Sequence, residues 1–580
     1  MSHKSAIYFN IVCNFNILIL ERTMEKHITI YCSNTCSKID VEGGESLLSI
    51  YNRLDLNMPH RAVVARVNNK SESLHFRIYN TCDVEFVDIS DASGMRAYER
   101  SLCFVLYKAV HELFPGTTLR IEHSISNGKY CLLGDSKTPI EPAVVDAIRN
   151  RMREIVAKDF PFELKMSHTA DVIEIFEKQG LTQKVDLLNT VGDLYTDYYV
   201  LDGLADMYYS WLVPSTGYLT VFDLQPYANG MLLLPPNKND LSQPATPIDQ
   251  SKMLDAFDKY NTFNQIIGLN GVGRLNYAID EDRASTLIQV AEALHEKQIA
   301  TIADDIARQF DAGGARIVLI SGPSSSGKTT FSKRLSVQLM TNRLMPAAIS
   351  LDDYFVNRVD TPLDEDGEYD YESLYALDLV RFNSDMRRLL AGELVALPIY
   401  DFKSGSRIDN AKSMQLTPNT VLILEGIHAL NPELTASIPD DQKYGIYASA
   451  LTSLSIDDHN CIPSTDNRLL RRIVRDAKTR GVSPKDTIAR WPSVRRGEDK
   501  WIFPYQENAH AMFNSSLLFE LAVIRDYAVP VLRSVPRNCP EYAEATRLLK
   551  FLHYFRSLPH DEIPPTSLLR EFLGGSSFKY

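Results

Sequence analysis

An apolar run, Arg316 to Ser321 (RIVLIS), opens directly into Gly322-Pro-Ser-Ser-Ser-Gly327-Lys328-Thr329-Thr330, and the FSKRLSVQLM that follows has helical periodicity. No other feature of the chain narrows its fold as much. The run suits a buried parallel strand, the glycines let backbone N–H groups turn toward phosphate oxygens, and a helix opening at Lys328 brings the positive end of its dipole. Strand, loop and helix in this order predict an α/β domain with a parallel sheet. Its loop residues Gly322, Ser324, Ser325, Ser326, Gly327, Lys328, Thr329 and Thr330 would cradle a nucleoside triphosphate. Lys328 is placed to reach the β- and γ-phosphates, and the Thr329 hydroxyl to ligate Mg²⁺.

A phosphate loop alone does not choose among nucleotide chemistries, so the flanking sequence must. Asn237-Lys238-Asn239-Asp240 spells a guanine-reading N-K-x-D, but it precedes the loop, where GTPases carry it afterwards, and lies in a Pro-rich stretch. It is read as coincidence. After the loop helix, Ala347 to Leu351 reads as a second strand ending in Asp352-Asp353. The carboxyl ends of strands line the ligand crevice of such a sheet, so Asp352 can take a proton from an attacking hydroxyl or help hold Mg²⁺. A plain helix cap is the simpler alternative. Val421 to Leu424 reads as another strand, and Glu425 adds an acid at the same edge. Arg468, Arg471, Arg472, Arg475 and Arg480 follow one helical pattern. Such density is more often a solvated face, yet arginines after a phosphate loop are what neutralises a phosphoryl group in transfer.

At 580 residues the chain is long enough for about three to four domains. Short β-type runs around a helical piece (HITIYC, SLLSIYNRL, AVVARVNN, VEFVDI) predict a compact α+β module, followed by a helix from Met95 to Leu113. Pro235 to Pro247 reads as a loop, and Ser251 to Phe310 as mostly helical. The predicted division is an extension at 1–23, a module at 24–90, an α+β domain at 91–240, a helical connector at 241–314, and the α/β domain with a helical tail at 315–580. A net charge of −13 excludes a global basic footprint for nucleic acid. Eight scattered cysteines point to neither a disulfide framework nor a zinc ribbon and fit a reducing cytoplasm. The apolar stretch Ala6 to Leu20 is interrupted by Asn10, Asn14 and Asn16 and is too short for a span, so a cytoplasmic protein without a membrane partner is expected.

Five segments in order, Gly322 to Thr330, ISLDDYF (349–355), PIYDFKSGSR (398–407), LEGIHAL (424–430) and RLLRRIVRDAKTRG (468–481), resemble the uridine kinase and phosphoribulokinase superfamily. The resemblance implies ATP- and Mg²⁺-dependent phosphorylation of a small alcohol, first of all the 5′-hydroxyl of a uridine- or cytidine-like nucleoside. By position, Lys328 and Thr329 would hold phosphates and Mg²⁺, Asp352 would be the base, and Glu425 a metal-side acid. Arg472 would contact the sugar, Arg475 and Arg480 would ride a closing lid, and Tyr400 and Phe402 would flank the base. Glu372 and Arg407 fall in the substrate segments. There are departures. The family's base-reading His is Gly405 here, its ribose Asp is the longer Glu372 followed by Ser373-Leu374, and one lid arginine is Val482. Phosphoryl transfer is expected to be kept and acceptor choice altered, which leaves a sugar, sugar phosphate or other small alcohol open.

Residues 98–130 are similar to the editing region of threonyl-tRNA synthetases. That likeness makes 24–90 a TGS-like β-grasp module and 91–240 an editing-like domain. The synthetases' H-x-x-x-H and C-x-x-x-H pairs correspond here to Arg100 with Phe104 and Tyr208 with Leu212, so no hydrolytic editing is expected. His111, His123, Cys32 and Cys36 read as structural. The likeness motivates a rival reading in which this half contacts RNA or tRNA and the phosphate loop is a switch. A homo-oligomer is left open.

Overall fold

The computed structural model describes residues 27–134, 138–365, 367–401 and 403–579. The expectations for the extension at 1–23 and for Phe402 fall outside the described residues.

Strands His27–Cys32, Ser37–Glu42, Val64–Val67, Lys70–Ser73 and Asp83–Val87 form one mixed sheet in which the first and last strands pair in parallel, Tyr31 opposite Asp83. Helix Leu47–Arg53 buries Leu47 and Ile50 in the same core as Ile30, Val84 and Phe86. Two of the strands, SKIDVE and KSES, carry almost no apolar signal because they are the sheet's edges and owe little to a buried face. The next helix runs Ala92–Leu113, capped by the Asp91 carboxylate accepting from the Ser93 N–H at 2.7 Å. It is buried on nearly all sides between the first module, an antiparallel sheet (Leu119–Ile125, Gly128–Leu133, Gly230–Leu234, Asp223–Tyr227) and the C-terminal half.

The stretch read as a loop at 235–247 is instead a small hairpin, Pro236–Asn237 against Asp240–Pro244. Its N-K-N-D has a local use. The Asn237 side-chain oxygen accepts from the Asn239 N–H (2.9 Å), and that of Asp240 from the Ser242 N–H (3.1 Å), the self-bonding that makes Asn and Asp turn residues.

The connector is helical as expected (Ser251–Ile266, Val272–Asp280 and α1, Ala284–Asp311), but it is no spacer. Ile299, Ala303 and Ile306 of α1 share a core with the helix that follows the phosphate loop, α2 (Lys328–Thr341). Arg334 of α2 pairs with Glu292 (3.2 Å) and Glu296 (2.7 Å) of α1.

The parallel sheet consists of β1 (Ile317–Ser321), β2 (Met345–Ser350), β3 (Thr420–Glu425), β4 (Lys443–Ser449) and β5 (Ala511–Asn514), in the order β2-β3-β1-β4-β5. Every residue of β1 is buried, which is why it reads as an unbroken apolar run. The chain leaves β1 toward β2 and β3 and returns to its other side for β4 and β5. The phosphate loop therefore opens at the switch point, where an open α/β sheet binds ligands.

The two halves share one hydrophobic core, with Leu102, Phe104 and Leu187 joined to Leu454, Ile456 and Leu469. Within it lies a buried ionic knot. The Lys184 ammonium sits 2.8 Å from Asp206 and 2.7 Å from Asp457, His459 Nδ1 lies 2.8 Å from the other Asp206 oxygen, and the Asn460 amide donates to Asp457. Lys184, Asp206 and Asp457 have no exposed side-chain surface. The seven described cysteines are free, and no helix among the described residues is long and apolar enough to cross a membrane.

Candidate active site

The phosphate loop is shaped by what its glycines exclude. A Cβ on Gly322 would collide with the Ala448 carbonyl, and one on Gly327, at φ +81°, would come within 2.6 Å of Leu568. Ser325 also holds a positive φ of 60°. Lys328 Nζ rests on the Pro323 carbonyl at 3.3 Å. The hydroxyls of Ser325 and Ser326 are buried without a hydrogen-bond partner, an unusual state for polar atoms. A tight backbone cradle, two unsatisfied hydroxyls, a lysine and a helix N-terminus together fit a polyphosphate.

Helix α3 (Ser464–Arg475) divides the arginines that its sequence shows as one stripe. Arg468 and Arg471 are fully buried behind the loop. Arg468 donates to the Ser324 carbonyl (3.2 Å) and is paired with Glu498 of α4 (Pro484–Trp501); Arg471 donates to the Ser325 carbonyl (3.4 Å) and is paired with Glu520. Arg472 faces the loop, donating to Ser324 Oγ at 2.8 Å. Arg475 and Arg480 do not reach the loop. Asp476, in a π-helical turn after α3, holds Arg475 at 2.9 Å, Arg472 at 3.4 Å and Arg480 at 3.7 Å.

Acids converge on the loop from the strand ends. Thr329 Oγ1 donates to Glu425, the last residue of β3, at 3.3 Å. Burial pushes the Glu425 carboxyl up to about 7, with Lys328 opposing and Asp352 and Glu571 adding. Burial likewise pushes Glu372 up to about 7, with Glu498 adding and Arg472 and Lys328 opposing. Asp352, just past β2, is raised by burial, with Lys328 opposing and Asp353 adding. The Asp-Asp pair is split by its contacts. Asp353 is taken by Lys412 at 2.9 Å, whereas Asp352 keeps the company of Lys328 and Arg480. Carboxyls poised near neutrality beside a threonine hydroxyl fit a hard dication, which would draw them into the ionised form.

The predicted substrate segment forms a hairpin, Val395–Asp401 with Ser406–Met414. Tyr400 is buried, its ring 5.5 Å from that of Phe355. Arg407 is occupied by Asp378 (2.8 Å) and Asp409 (3.0 Å). Gly405 has φ +69°, and a Cβ there would stand 2.6 Å from the guanidinium carbon of Arg358, whose backbone N–H donates to the Gly405 carbonyl at 2.9 Å. An arginine thus fills the space beside the position where the resembling family carries histidine.

Two residues at the site carry no motif that would have found them, and a third, His428, sits inside the LEGIHAL segment without having been singled out. Glu571, in the short tail helix Arg570–Leu573, accepts from Thr330 Oγ1 (2.7 Å) and the Thr330 N–H (3.3 Å) at the head of α2. Glu498 accepts from the Ser324 N–H at 3.2 Å. His428, two residues past Glu425-Gly426, is buried against the backbone of Glu372 and Ser373, and burial pulls it down to about 4.

In the N-terminal half, the four positions aligned with editing residues form an aromatic core. Phe104 packs 5.7 Å from Tyr208 and 5.8 Å from Phe162, Leu212 is buried, and the Arg100 guanidinium lies 4.7 Å over the Tyr209 ring.

A phosphate loop at the switch point of a five-stranded parallel sheet, with acids at neighbouring strand ends, defines the P-loop nucleotide-binding class of α/β fold. Residues 317–518 match the sequence model of the Phosphoribulokinase / Uridine kinase family. The N-terminal part is similar to threonine–tRNA ligases of Francisella tularensis. With that of subspecies novicida it is 25% identical over 189 residues, 33% of this chain and 30% of the ligase, and with that of subspecies tularensis strain SCHU S4 it is 24% identical over the same length. The chain thus spans less than a third of those relatives. Among solved structures, a candidate fructose transport system kinase from Silicibacter sp. TM1040 is 18% identical (TM-score 0.28; 37% of this chain, 98% of that one). A candidate uridine kinase from Bacillus stearothermophilus is 17% identical (TM-score 0.25; the same coverages).

Proposed function

We propose that the protein uses ATP and Mg²⁺ to phosphorylate a hydroxyl of a nucleoside-like small alcohol, foremost the 5′-hydroxyl of uridine, cytidine or a related nucleoside. The observation that carries this is the convergence of Asp352, Glu372 and Glu425 on Lys328 and Thr329 at one sheet edge. Thr329 and Glu425 would hold Mg²⁺, which supplies charge neutralisation for the transferring phosphoryl group. Loop N–H groups, Ser325, Ser326 and Lys328 would bind the phosphates. Asp352, ionised, would orient the acceptor hydroxyl and receive its proton. Glu372 beside Arg472 would grip the sugar hydroxyls, and Tyr400 with Phe402 would bound the acceptor's ring. Arg475 and Arg480 would have to exchange part of their bond to Asp476 for the phosphates, which makes the π-helical turn the hinge of the lid. Arg407 would brace the acceptor hairpin through Asp378.

A second reading keeps the chemistry and changes the acceptor to a sugar, sugar phosphate or other small alcohol. Arg358 against Gly405 favours it, because a guanidinium prefers an anionic or multiply oxygenated group to a pyrimidine edge. The N-terminal half we read as a TGS-like module and an editing-like domain without hydrolytic activity, since an arginine, two aromatic side chains and a leucine stand where such chemistry uses imidazoles and a thiol. RNA contact by this half remains the rival role and predicts salt-sensitive tRNA binding by the full chain.

The deciding assay is ADP release by the full-length chain with ATP and Mg²⁺ against a panel of nucleosides, sugars and sugar phosphates. Asp352→Asn should lower turnover at least about a hundredfold while ATP-analogue affinity stays within threefold. Near-normal turnover by that variant would remove Asp352 from the chemistry.

A further inference from the structure

Away from the phosphate loop, a cavity of about 560 Å³ opens where the first sheet, helix Ala92–Leu113, α4 and the C-terminal helix Tyr542–Leu552 meet. It shares no lining residue with the kinase site, and its volume is in the range of small-molecule sites. Six cations and four carboxylates line it.

Most of these cations are spoken for. Arg66 is held by Glu85 and Asp91, Lys70 by Glu72, Arg96 by Glu544, and Arg547 by Asp466 and Glu544. Arg100 and Lys550 are different. Neither makes an ion pair or hydrogen bond with any described residue; instead Arg100 lies 4.7 Å over Tyr209 and Lys550 4.9 Å over Trp211. The rings hold the two cations in place and leave their N–H groups open to a ligand. A third ring, Trp491 of α4, completes an aromatic wall. Cations whose N–H groups no carboxylate takes, with Asp197 and Glu72 acting on Lys550 and Glu544 on Arg100 only from beyond ion-pair distance, call for an anion, and the rings for a planar body.

We propose that this cavity is a second ligand site, for a free nucleoside phosphate, with Arg100 and Lys550 on the phosphate and the Tyr209, Trp211 and Trp491 rings around the base. This goes beyond the kinase reading and does not depend on it. The wall residue Trp491 lies 5.4 Å from the Arg468 guanidinium, which donates to the loop carbonyl of Ser324, so an occupant would touch an element that shapes the kinase loop.

The test is titration calorimetry on the full-length chain, saturated beforehand with Mg²⁺ and a non-hydrolysable ATP analogue to fill the loop. The probes are AMP, GMP, CMP and UMP, with orthophosphate and the four nucleosides as part-ligands. At least one mononucleotide should bind below about 1 mM at a site that is lost in the double variant below, and at that site its phosphate or nucleoside alone should bind at least about tenfold more weakly. The double variant Arg100→Leu/Lys550→Met, which breaks no ion pair and loses only the two cation–ring contacts, should melt within about 2 °C of the parent and weaken that binding at least about tenfold. Absence of mononucleotide binding overturns the proposal. So does binding undiminished in the double variant, which would put the ligand elsewhere. Neither result touches the kinase reading, which rests on ADP release.

Discussion

Replacing Glu425 by glutamine should stabilise the ligand-free protein, and by an amount that depends on pH. Burial pushes this carboxyl from 4.5 up to about 7, so between those values the folded protein holds a proton that the unfolded chain has released. A carboxyl with a raised folded pKa adds stability below the unfolded value, and that stability is lost as pH rises through the folded one. At about 1.4 kcal/mol per pH unit, the burden of ionising Glu425 is below about 0.5 kcal/mol near pH 4.5 and grows to about 3 kcal/mol at pH 8. Glutamine is neutral throughout, is nearly the same size, and can still accept from Thr329. The variant should therefore melt within a degree of the parent at pH 4.5 and about 3 °C above it at pH 8, taking the entropy of unfolding for a chain of this length as a single unit. Scanning calorimetry of both proteins without nucleotide or metal reads this directly. Equal gains at the two pH values, or a loss at pH 8, would show that the carboxylate is compensated in solution and that the burial argument is wrong. The same substitution should abolish the rise in Mg²⁺ affinity between pH 6 and 8 that a titrating ligand imposes.

Arg358→His should change the acceptor KM at least about tenfold with the ATP KM within threefold, measured by ADP release; an unchanged acceptor profile would take Arg358 out of the acceptor pocket. Glu571→Gln removes a carboxylate from the head of α2, where it competes with phosphate for N–H groups, and should tighten ATP-analogue binding several-fold by calorimetry; weaker binding would instead make Glu571 part of the metal site. Lys184→Met leaves Asp206 and Asp457 buried without their cation and should cost about 3–5 kcal/mol, seen in urea as a common shift for probes in both halves. Separate midpoints, with only the N-terminal probe shifted, would show that the knot does not tie the halves together.

The parts of the site written within a few residues were legible in the sequence, and the parts made by distant pairings were not. The apolar β1, the glycine loop and α2 are contiguous, so their order alone announces a phosphate cradle. Asp352 and Glu425 could be placed at one edge because strands in a parallel sheet end on the same side. Which of Asp352 and Asp353 faces the loop depends on Lys412, about sixty residues away, and no local pattern carries that. The arginine stripe of α3 gave its face but not its division, since the carboxylates that take Arg468 and Arg471 out of play, Glu498 and Glu520, lie on other helices. Glu571 belongs to a four-residue helix with no periodicity to detect. In the fold, the edge strands and the 236–244 hairpin escaped because polar, self-bonding segments pair without an apolar face.

The knot at Lys184 also sets a schedule. During synthesis Lys184 and Asp206 emerge early, but Asp457 follows Lys184 by 273 residues. At about 5–20 residues per second, the nascent N-terminal half waits roughly 14–55 s for its counterpart. Through that interval it exposes an apolar face and an unfinished ionic cluster that only the late-made half can cover. Its correct maturation therefore rests on whatever shields that face on the ribosome, and a chain truncated before Asp457 would be left permanently in that unfinished state.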